Sequence, residues 1–254
     1  MTVSELYGKL NERIPTALSC SWDNDGLMCC PDSGREVKKV LLTLDVTDTA
    51  VEKAVSGGFD MIISHHPFFF KGLKAVTDTQ PLSAAAIKLI KAGVSVASFH
   101  TRLDAVEGGV NDTLAALLGL ENTRPFGNEG EEIGRIGELS GVTLSELCER
   151  VKKVTGAPFV LCADGGKEPN RVAILGGEGG DDVGAAARAG ADTYISGRIG
   201  YHHMTDAIGR GLSLVEAGHF YTEFPVCATL KKWLLEINPE IEIEVYNSNR
   251  IAVR

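Results

Sequence analysis

No stretch of this chain reaches the roughly 18 consecutive apolar residues that a membrane helix requires, which argues against a helical membrane protein. Its first residues, Met1-Thr-Val-Ser-Glu-Leu-Tyr-Gly-Lys9, lack the charged-then-apolar pattern of a secretory leader, so a cytoplasmic location is expected. Positive charge is scarce. Against 34 acidic side chains stand 25 basic ones, a net charge of -9 with no long basic run, which argues against nucleic acid as a partner. The six cysteines (Cys20, Cys29, Cys30, Cys148, Cys162, Cys227) form no Cys-x-x-Cys spacing. In a reducing compartment they read as small buried hydrophobes, and the adjacent pair Cys29-Cys30 is poorly disposed for disulfide geometry. What remains is ordinary for a globular protein: 254 residues, 44% hydrophobic and 23% charged, enough for one large domain or two small intertwined ones.

Histidine is also sparse, and four of the six histidines fall in three places. His100-Thr-Arg-Leu-Asp104 and His219-Phe-Tyr-Thr-Glu223 each set an imidazole four residues before a carboxylate, on one face of a helical turn. His65-His66 is a double histidine followed by Pro67. One such pair alone reads as structural hydrogen bonding, but three clusters in one chain read as a shared metal site. Mixed nitrogen and oxygen donors without thiolate favour an open site for a divalent first-row metal over a closed structural one.

Two segments follow one plan. Laid on itself so that Val40 meets Val172, the chain aligns without a gap as far as Ser64 and Ser196. Identities include Val51 with Val183, Ala54 with Ala186, Gly58 with Gly190, Asp60 with Asp192 and Ile63 with Ile195. The spacing suggests an internal duplication. Each half reads as an apolar strand, a helix, and a Gly-x-Asp turn into a second apolar strand. The strands are 40–44 with 61–63, and 172–175 with 193–195. Thr49-x-x-Glu52 reads as the capping box of the first helix, which stops at Gly57-Gly58. Pro81 to Gly93 forms a further helix leading through 94–99 to His100, and 203–211 with 212–215 leads to His219. Thr2-x-x-Glu5 and Thr143-x-x-Glu146 read as capping boxes, 241–246 as a half-exposed strand, and the acidic stretch from Gly127 to Gly134 as a surface loop.

The fold class is therefore α/β, with two similar layered α/β lobes from an internal duplication and the metal site between them. The first lobe is placed at 1–126 plus 224–254 and the second at 127–223. All three histidine clusters follow strands, where open α/β sheets collect their ligands. Pro67 biases His66 toward extended backbone, so the two imidazoles could splay to serve two metals. Asp104 and Glu223 could supply terminal or bridging oxygens, and His219 could complete the second ion.

The strings Ser21-Trp-Asp-Asn-Asp-Gly-Leu27, Ile63-Ser-His-His-Pro67, Ser98-Phe-His-Thr-Arg-Leu-Asp-Ala105, Gly197-Arg-Ile-Gly-Tyr-His202 and Glu216-Ala-Gly-His-Phe-Tyr-Thr-Glu223 occur in that order. Together they resemble the Nif-three-like dinuclear metal-centre family, whose members often carry the description GTP cyclohydrolase I type 2 homologue. The resemblance spans nearly the whole chain and corresponds to the short form without an inserted domain. It implies His65, His66, Asp104, His219 and Glu223 as ligands of two divalent ions per chain, with Zn, Fe, Mn, Co and Ni all open. His100 would line the site or support it from behind. A toroidal homohexamer is implied as well. Three positions depart from the pattern: Asp25 replaces an apolar residue, Cys29-Cys30 a less unusual pair, and Arg198 an acidic one.

Gly176-Gly-Glu-Gly-Gly180 lacks the lysine and hydroxyl of a phosphate loop and carries Glu178, Asp181 and Asp182, so it reads better as a pocket wall. Trp22-Asp23-Asn24 reads as a lid or a packed turn. Tyr201 and His202 read either as hydrogen-bond donor and proton shuttle or as a packed pair at a helix start.

The leading functional expectation is a metal-dependent hydrolase acting on a small molecule. The resemblance suggests GTP, with His100 or His202 as proton donor. The alternative is a non-catalytic metal-binding or regulatory scaffold, stabilised by its metal through mass action. A protein-interaction role is suggested by the family's name alone.

Overall fold

Two units make up the protein, whose structure is a computed structural model describing residues 1–252. The first holds Met1–Leu103 and Cys227–Ile251, the second Asp104–Val226 with Ala252.

In the first unit, α1 (Val3–Arg13) opens on a complete capping box in which Thr2 and Glu5 satisfy each other's backbone N–H. The sheet is built from β1 (Gly26–Cys29), β2 (Lys39–Thr43), β3 (Met61–Ser64), β4 (Ser95–Ser98) and β11 (Glu242–Val245), in the order β1-β4-β3-β2-β11. All neighbours are parallel except the edge strand β1. Helices α2 (Asp48–Ser56) and α3 (Pro81–Ala92) supply the crossovers and pack on each other, while α10 (Val226–Ile237) leads into β11. Leu41, Ile62 and Val96 pack with Ala50, Val51, Ala54 and Leu89 in one cluster, and Val40, Leu42, Met61 and Ile63 on the alternate positions are fully buried too. Burial on both faces explains why these strands read as continuous apolar runs. Each such Leu, Ile or Val contributes about 1.5–3 kcal/mol.

The second unit begins within the short helix α4 (Thr101–Ala105), followed by α5 (Val110–Leu118), the hairpin β5 (Glu121–Asn128) and β6 (Glu131–Glu138), and α6 (Leu144–Thr155). Then come β7 (Leu161–Ala163), β8 (Arg171–Glu178), α7 (Val183–Arg188), β9 (Thr193–Arg198), α8 (Tyr201–Ile208), β10 (Ser213–Glu216) and α9 (His219–Glu223). The sheet order is β5-β6-β8-β9-β10-β7. Its parallel core β8-β9-β10 with an antiparallel edge strand, β7, repeats the arrangement β2-β3-β4 with β1. The two halves differ on the other side, where β2 takes the parallel β11 and β8 the antiparallel β6. Val172 and Ile174 enter one core cluster, Ala173 and Leu175 the other, as the strand period demands.

The repeated Gly-x-Asp turn has a physical reason. Gly58 and Gly190 both sit at positive φ, +63° and +87°, where a side chain is disfavoured. Asp60 then accepts backbone N–H bonds from Lys38 and Lys39 at 2.9 and 3.0 Å. Asp192 does the same for Asn170 and Arg171 at 3.1 and 2.8 Å. Each carboxylate thus fastens the entry of one parallel strand to the start of the next.

Four expectations are corrected. The break between units falls at Leu103/Asp104 and Val226/Cys227 rather than near 126 and 223, because α5 packs on β6 and β8. Residues 127–134 are strand and tight turn: Gly130 (φ +80°) turns the hairpin, and Gly134 leaves room for the buried Phe126 ring. Thr47, not Thr49, caps α2, accepting the Ala50 N–H at 3.2 Å. Cys20, Cys29 and Cys227 are buried as expected, but Cys30 and Cys148 are half-buried and Cys162 is exposed. No helix of the described residues is long and apolar enough to cross a membrane.

Candidate metal centre

Where β3 ends, the backbone of His65 and His66 continues the ladder, donating to Thr43 and Leu44 carbonyls at 3.3 and 2.9 Å. This holds both residues at the carboxyl edge of the sheet, and His100 arrives from the end of β4 beside them. A ring nitrogen of each of His65, His66 and His100 lies within 4.8 Å of the others.

Each imidazole is fixed from behind through Nδ1. His65, buried, bonds the Phe99 carbonyl at 2.9 Å, His66 the Asp45 carboxylate at 2.7 Å, and His100 the Asp23 carboxylate at 2.8 Å. All three partners are acceptors, so Nδ1 carries a proton and Nε2 is the ring nitrogen left for a metal to use. The carboxylates are held in turn. Asp45 Oδ2 accepts the Ser248 hydroxyl at 3.2 Å, and Asp23 Oδ2 accepts the Thr101 N–H and hydroxyl at 3.0 and 2.6 Å. Burial alone would raise the Asp23 carboxyl, yet the bonds from His100 and Thr101 hold it well below the usual carboxylate range.

Asp25 is tied into the same network. Its Oδ2 accepts the His100 N–H at 3.0 Å and the Nε–H of the fully buried Arg102 at 2.8 Å. Arg102 also donates to Asn11 and to the Ile14 carbonyl, with its guanidinium 4.6 Å from the Phe99 ring centroid. Trp22 and Phe70, both about half exposed, meet His100 in edge-to-face arrangements with ring centroids 6.2 and 6.3 Å away. The Trp22 turn is therefore neither simply packed nor inert: its neighbour Asp23 orients a cluster histidine.

In the second unit, β10 runs through Gly218 (φ +87°) into α9, which carries His219 and the buried Glu223. His219 Nε2 stands 3.2 Å from Glu223 Oε1, so the four-residue spacing does present both donors together. Gly177 at the end of β8 (φ +72°) makes this arrangement sterically feasible. A Cβ there would fall 2.1 Å from Glu223 Oε1 and 3.2 Å from His219 Nε2. The Gly177 N–H donates to Thr222 Oγ1 at 3.0 Å, and that hydroxyl donates to the His219 carbonyl at 2.9 Å. The glycine run thus acts as a wall pressed against the donors.

Of the sequence-predicted residues, His65, His66 and His100 meet in the first unit and His219 meets Glu223 in the second. Asp104 is buried in α4, its carbonyl receiving the Asn111 side chain at 3.4 Å. His202 is exposed on α8 with its ring 3.9 Å from that of His203, and among the described residues it joins neither donor group. Asp45 and Asp23 were missed by sequence reasoning. The quoted Ser-Trp-Asp-Asn string was the available signal for Asp23, and nothing local marked Asp45. Imidazole nitrogens and carboxylate oxygens, with a cradle a Cβ would fill, fit a divalent first-row cation.

The chain matches the sequence profile described as Duf34/NIF3 (NGG1p interacting factor 3) over residues 1–252. A Clostridium acetobutylicum protein named GTP cyclohydrolase 1 type 2 homolog is 32% identical over 243 residues, covering 92% of this chain and 90% of that protein. The Schizosaccharomyces pombe Protein NIF3 homolog is 36% identical, covering 88% of this chain and 86% of its own length. The solved structure of a Bacillus cereus protein related to NIF3 superposes with a TM-score of 0.89 at 23% identity, covering 100% of this chain and 99% of that one, a likeness of fold.

Proposed function

This chain belongs to the Duf34/NIF3 family, and from that premise we propose that it holds two divalent metal ions and hydrolyses a small molecule, GTP being the first candidate. The observation that carries the reading is the set of three imidazoles, each with Nδ1 anchored to an acceptor oxygen. Anchoring Nδ1 fixes the direction in which each Nε2 faces, as histidine ligands of metals require. The proposed ligands are His65, His66, Asp104, His219 and Glu223. Zn, Fe, Mn, Co and Ni all suit this donor set. When bound, the metal pair supplies Lewis-acid activation of water and of the substrate.

The chain's own residues do the rest. Asp23 holds His100 in one orientation with Nδ1 protonated, which leaves Nε2 to take a proton from water and deliver it to a departing nitrogen. His202 is the second proposed proton carrier. Trp22 and Phe70, beside His100, offer apolar ring surface to a planar base and exclude bulk water from one side. On a guanine nucleotide, water adds at C8, the C–N bonds to that carbon break, and it leaves as formate after two waters are consumed. A toroidal homohexamer in the cytoplasm is part of the same reading; light scattering on the purified protein tests the assembly.

The test is formate release from GTP by metal-reconstituted protein. Wild-type turnover, reduced on the order of 10²-fold or more in His100→Ala, is the expected result. Retained metal with no turnover of GTP or of a small panel of phosphoesters and amides would instead favour the metal-binding scaffold.

A further inference from the structure

Cys148 and Cys162 read from the sequence as small buried hydrophobes, yet the fold brings them to one cavity. Cys148 lies in the second turn of α6, and Cys162 lies at the centre of β7, the edge strand of the second unit's sheet. The two thiols stand close enough for each to perturb the other's ionisation. Both line one open cavity of about 470 Å³, together with Leu144, Lys152, Phe159 and Val160. Cys162 is exposed, so a small reagent reaches its sulfur directly, while Cys148 is half-buried behind it.

We propose that Cys148 and Cys162 form a dithiol that hydrogen peroxide oxidises to a disulfide joining α6 to β7, a modification site separate from the metal centre. In the first step the Cys162 sulfur attacks the distal peroxide oxygen, the O–O bond breaks, and Cys162 becomes a sulfenic acid with release of water. In the second, the Cys148 sulfur attacks the Cys162 sulfur, the S–O bond breaks, and a second water leaves with the Cys148 proton. Two electrons pass from the two sulfurs to one peroxide, and an external thiol reverses the process. The assignment of roles follows from access: Cys162 is exposed and meets the oxidant first, whereas Cys148 is half-buried. The same assignment suits the electrostatics, since the neighbouring thiols lower Cys162 and raise Cys148, with burial adding to the rise at Cys148. Glu149 and Asp164 also face the pair and oppose thiolate formation at Cys148 and Cys162 respectively, whereas Lys152 favours it at Cys148. Cys148 thus serves as the resolving thiol.

The experiment treats the whole reduced protein with a small excess of hydrogen peroxide, then alkylates and maps peptides without reduction. The expected result is an intact mass lower by about two hydrogens, a cross-linked peptide pair containing Cys148 and Cys162, and full reversal by dithiothreitol. Cys148→Ser should leave a sulfenic acid on Cys162 that dimedone traps, and Cys162→Ser should abolish both adduct and cross-link. The proposal is overturned if the two peptides stay unlinked while the protein remains folded by circular dichroism, or if Cys148→Ser fails to accumulate the dimedone adduct. Oxidation that proceeds equally in Cys162→Ser would also overturn it, since another cysteine would then be the target. These readouts are independent of metal binding and turnover.

Discussion

Gly177 offers the sharpest structural test of the donor arrangement in the second unit. An alanine there incurs two separable penalties. The backbone sits at φ +72°, where a non-glycine residue costs roughly 1–2 kcal/mol. The added Cβ would also lie 2.1 Å from Glu223 Oε1, far inside van der Waals contact, so the carboxylate must swing away from His219 Nε2. Gly58→Ala isolates the first penalty: its φ is +63°, and a Cβ there meets nothing within 4 Å. Gly58→Ala should therefore lose about 1–2 kcal/mol in urea unfolding without metal, and Gly177→Ala at least as much. Only Gly177→Ala should lose metal affinity, by roughly 10–100-fold, the scale seen when a ligand's support is removed. Isothermal titration with zinc or manganese after chelation measures it. Wild-type affinity in Gly177→Ala, or an equal loss in Gly58→Ala, would refute the argument that Glu223 and His219 bind where the structure places them.

Two further outcomes follow from charges elsewhere. Burial, followed by the charge of Asp181, raises the Asp182 carboxyl to about 6, so the folded protein holds that proton more tightly than the unfolded chain does. The stabilising contribution is complete below the ordinary carboxylate pKa near 3.8 and is lost as pH rises through about 6. Asp182→Asn, which retains the bond from Asn128, should melt higher than wild type at pH 7.5 and equally at pH 3.5; no difference at pH 7.5 would count against it. Arg102→Leu strands the buried Asp25 carboxylate and should cost about 3–5 kcal/mol in chemical unfolding. Adding Asp25→Val should recover part of that loss, and strict additivity of the two substitutions would show that the pair is not coupled.

Much of the fold was legible because its determinants are local and repeated. Gly58 with Asp60 and Gly190 with Asp192 do one job twice, and the buried strands announce themselves as apolar runs. The capping boxes at Thr2 and Thr143 form as read. The hairpin around Gly130 was illegible because its exposed face is acidic and its glycines serve packing, so composition imitated a loop. The α2 cap was misplaced by two residues because Thr47 and Thr49 offer the same chemistry, and their hydroxyls in fact bond each other at 3.1 Å. In the candidate site, the histidines and Glu223 were visible through spacing. Asp23 and Asp45 were not, since they reach His100 and His66 only after the chain has folded over long separations. The same holds for Cys148 and Cys162, whose contact joins a helix to a sheet edge.

The central claim is that the donors of both units serve metal, and elemental analysis of the purified, metal-reconstituted protein tests it most directly. About two equivalents per chain in the wild type, lost in both His66→Ala and Glu223→Ala but retained in Cys162→Ser, is the result the account predicts. No bound metal in folded wild-type protein after reconstitution, or full retention in both ligand variants, would contradict it.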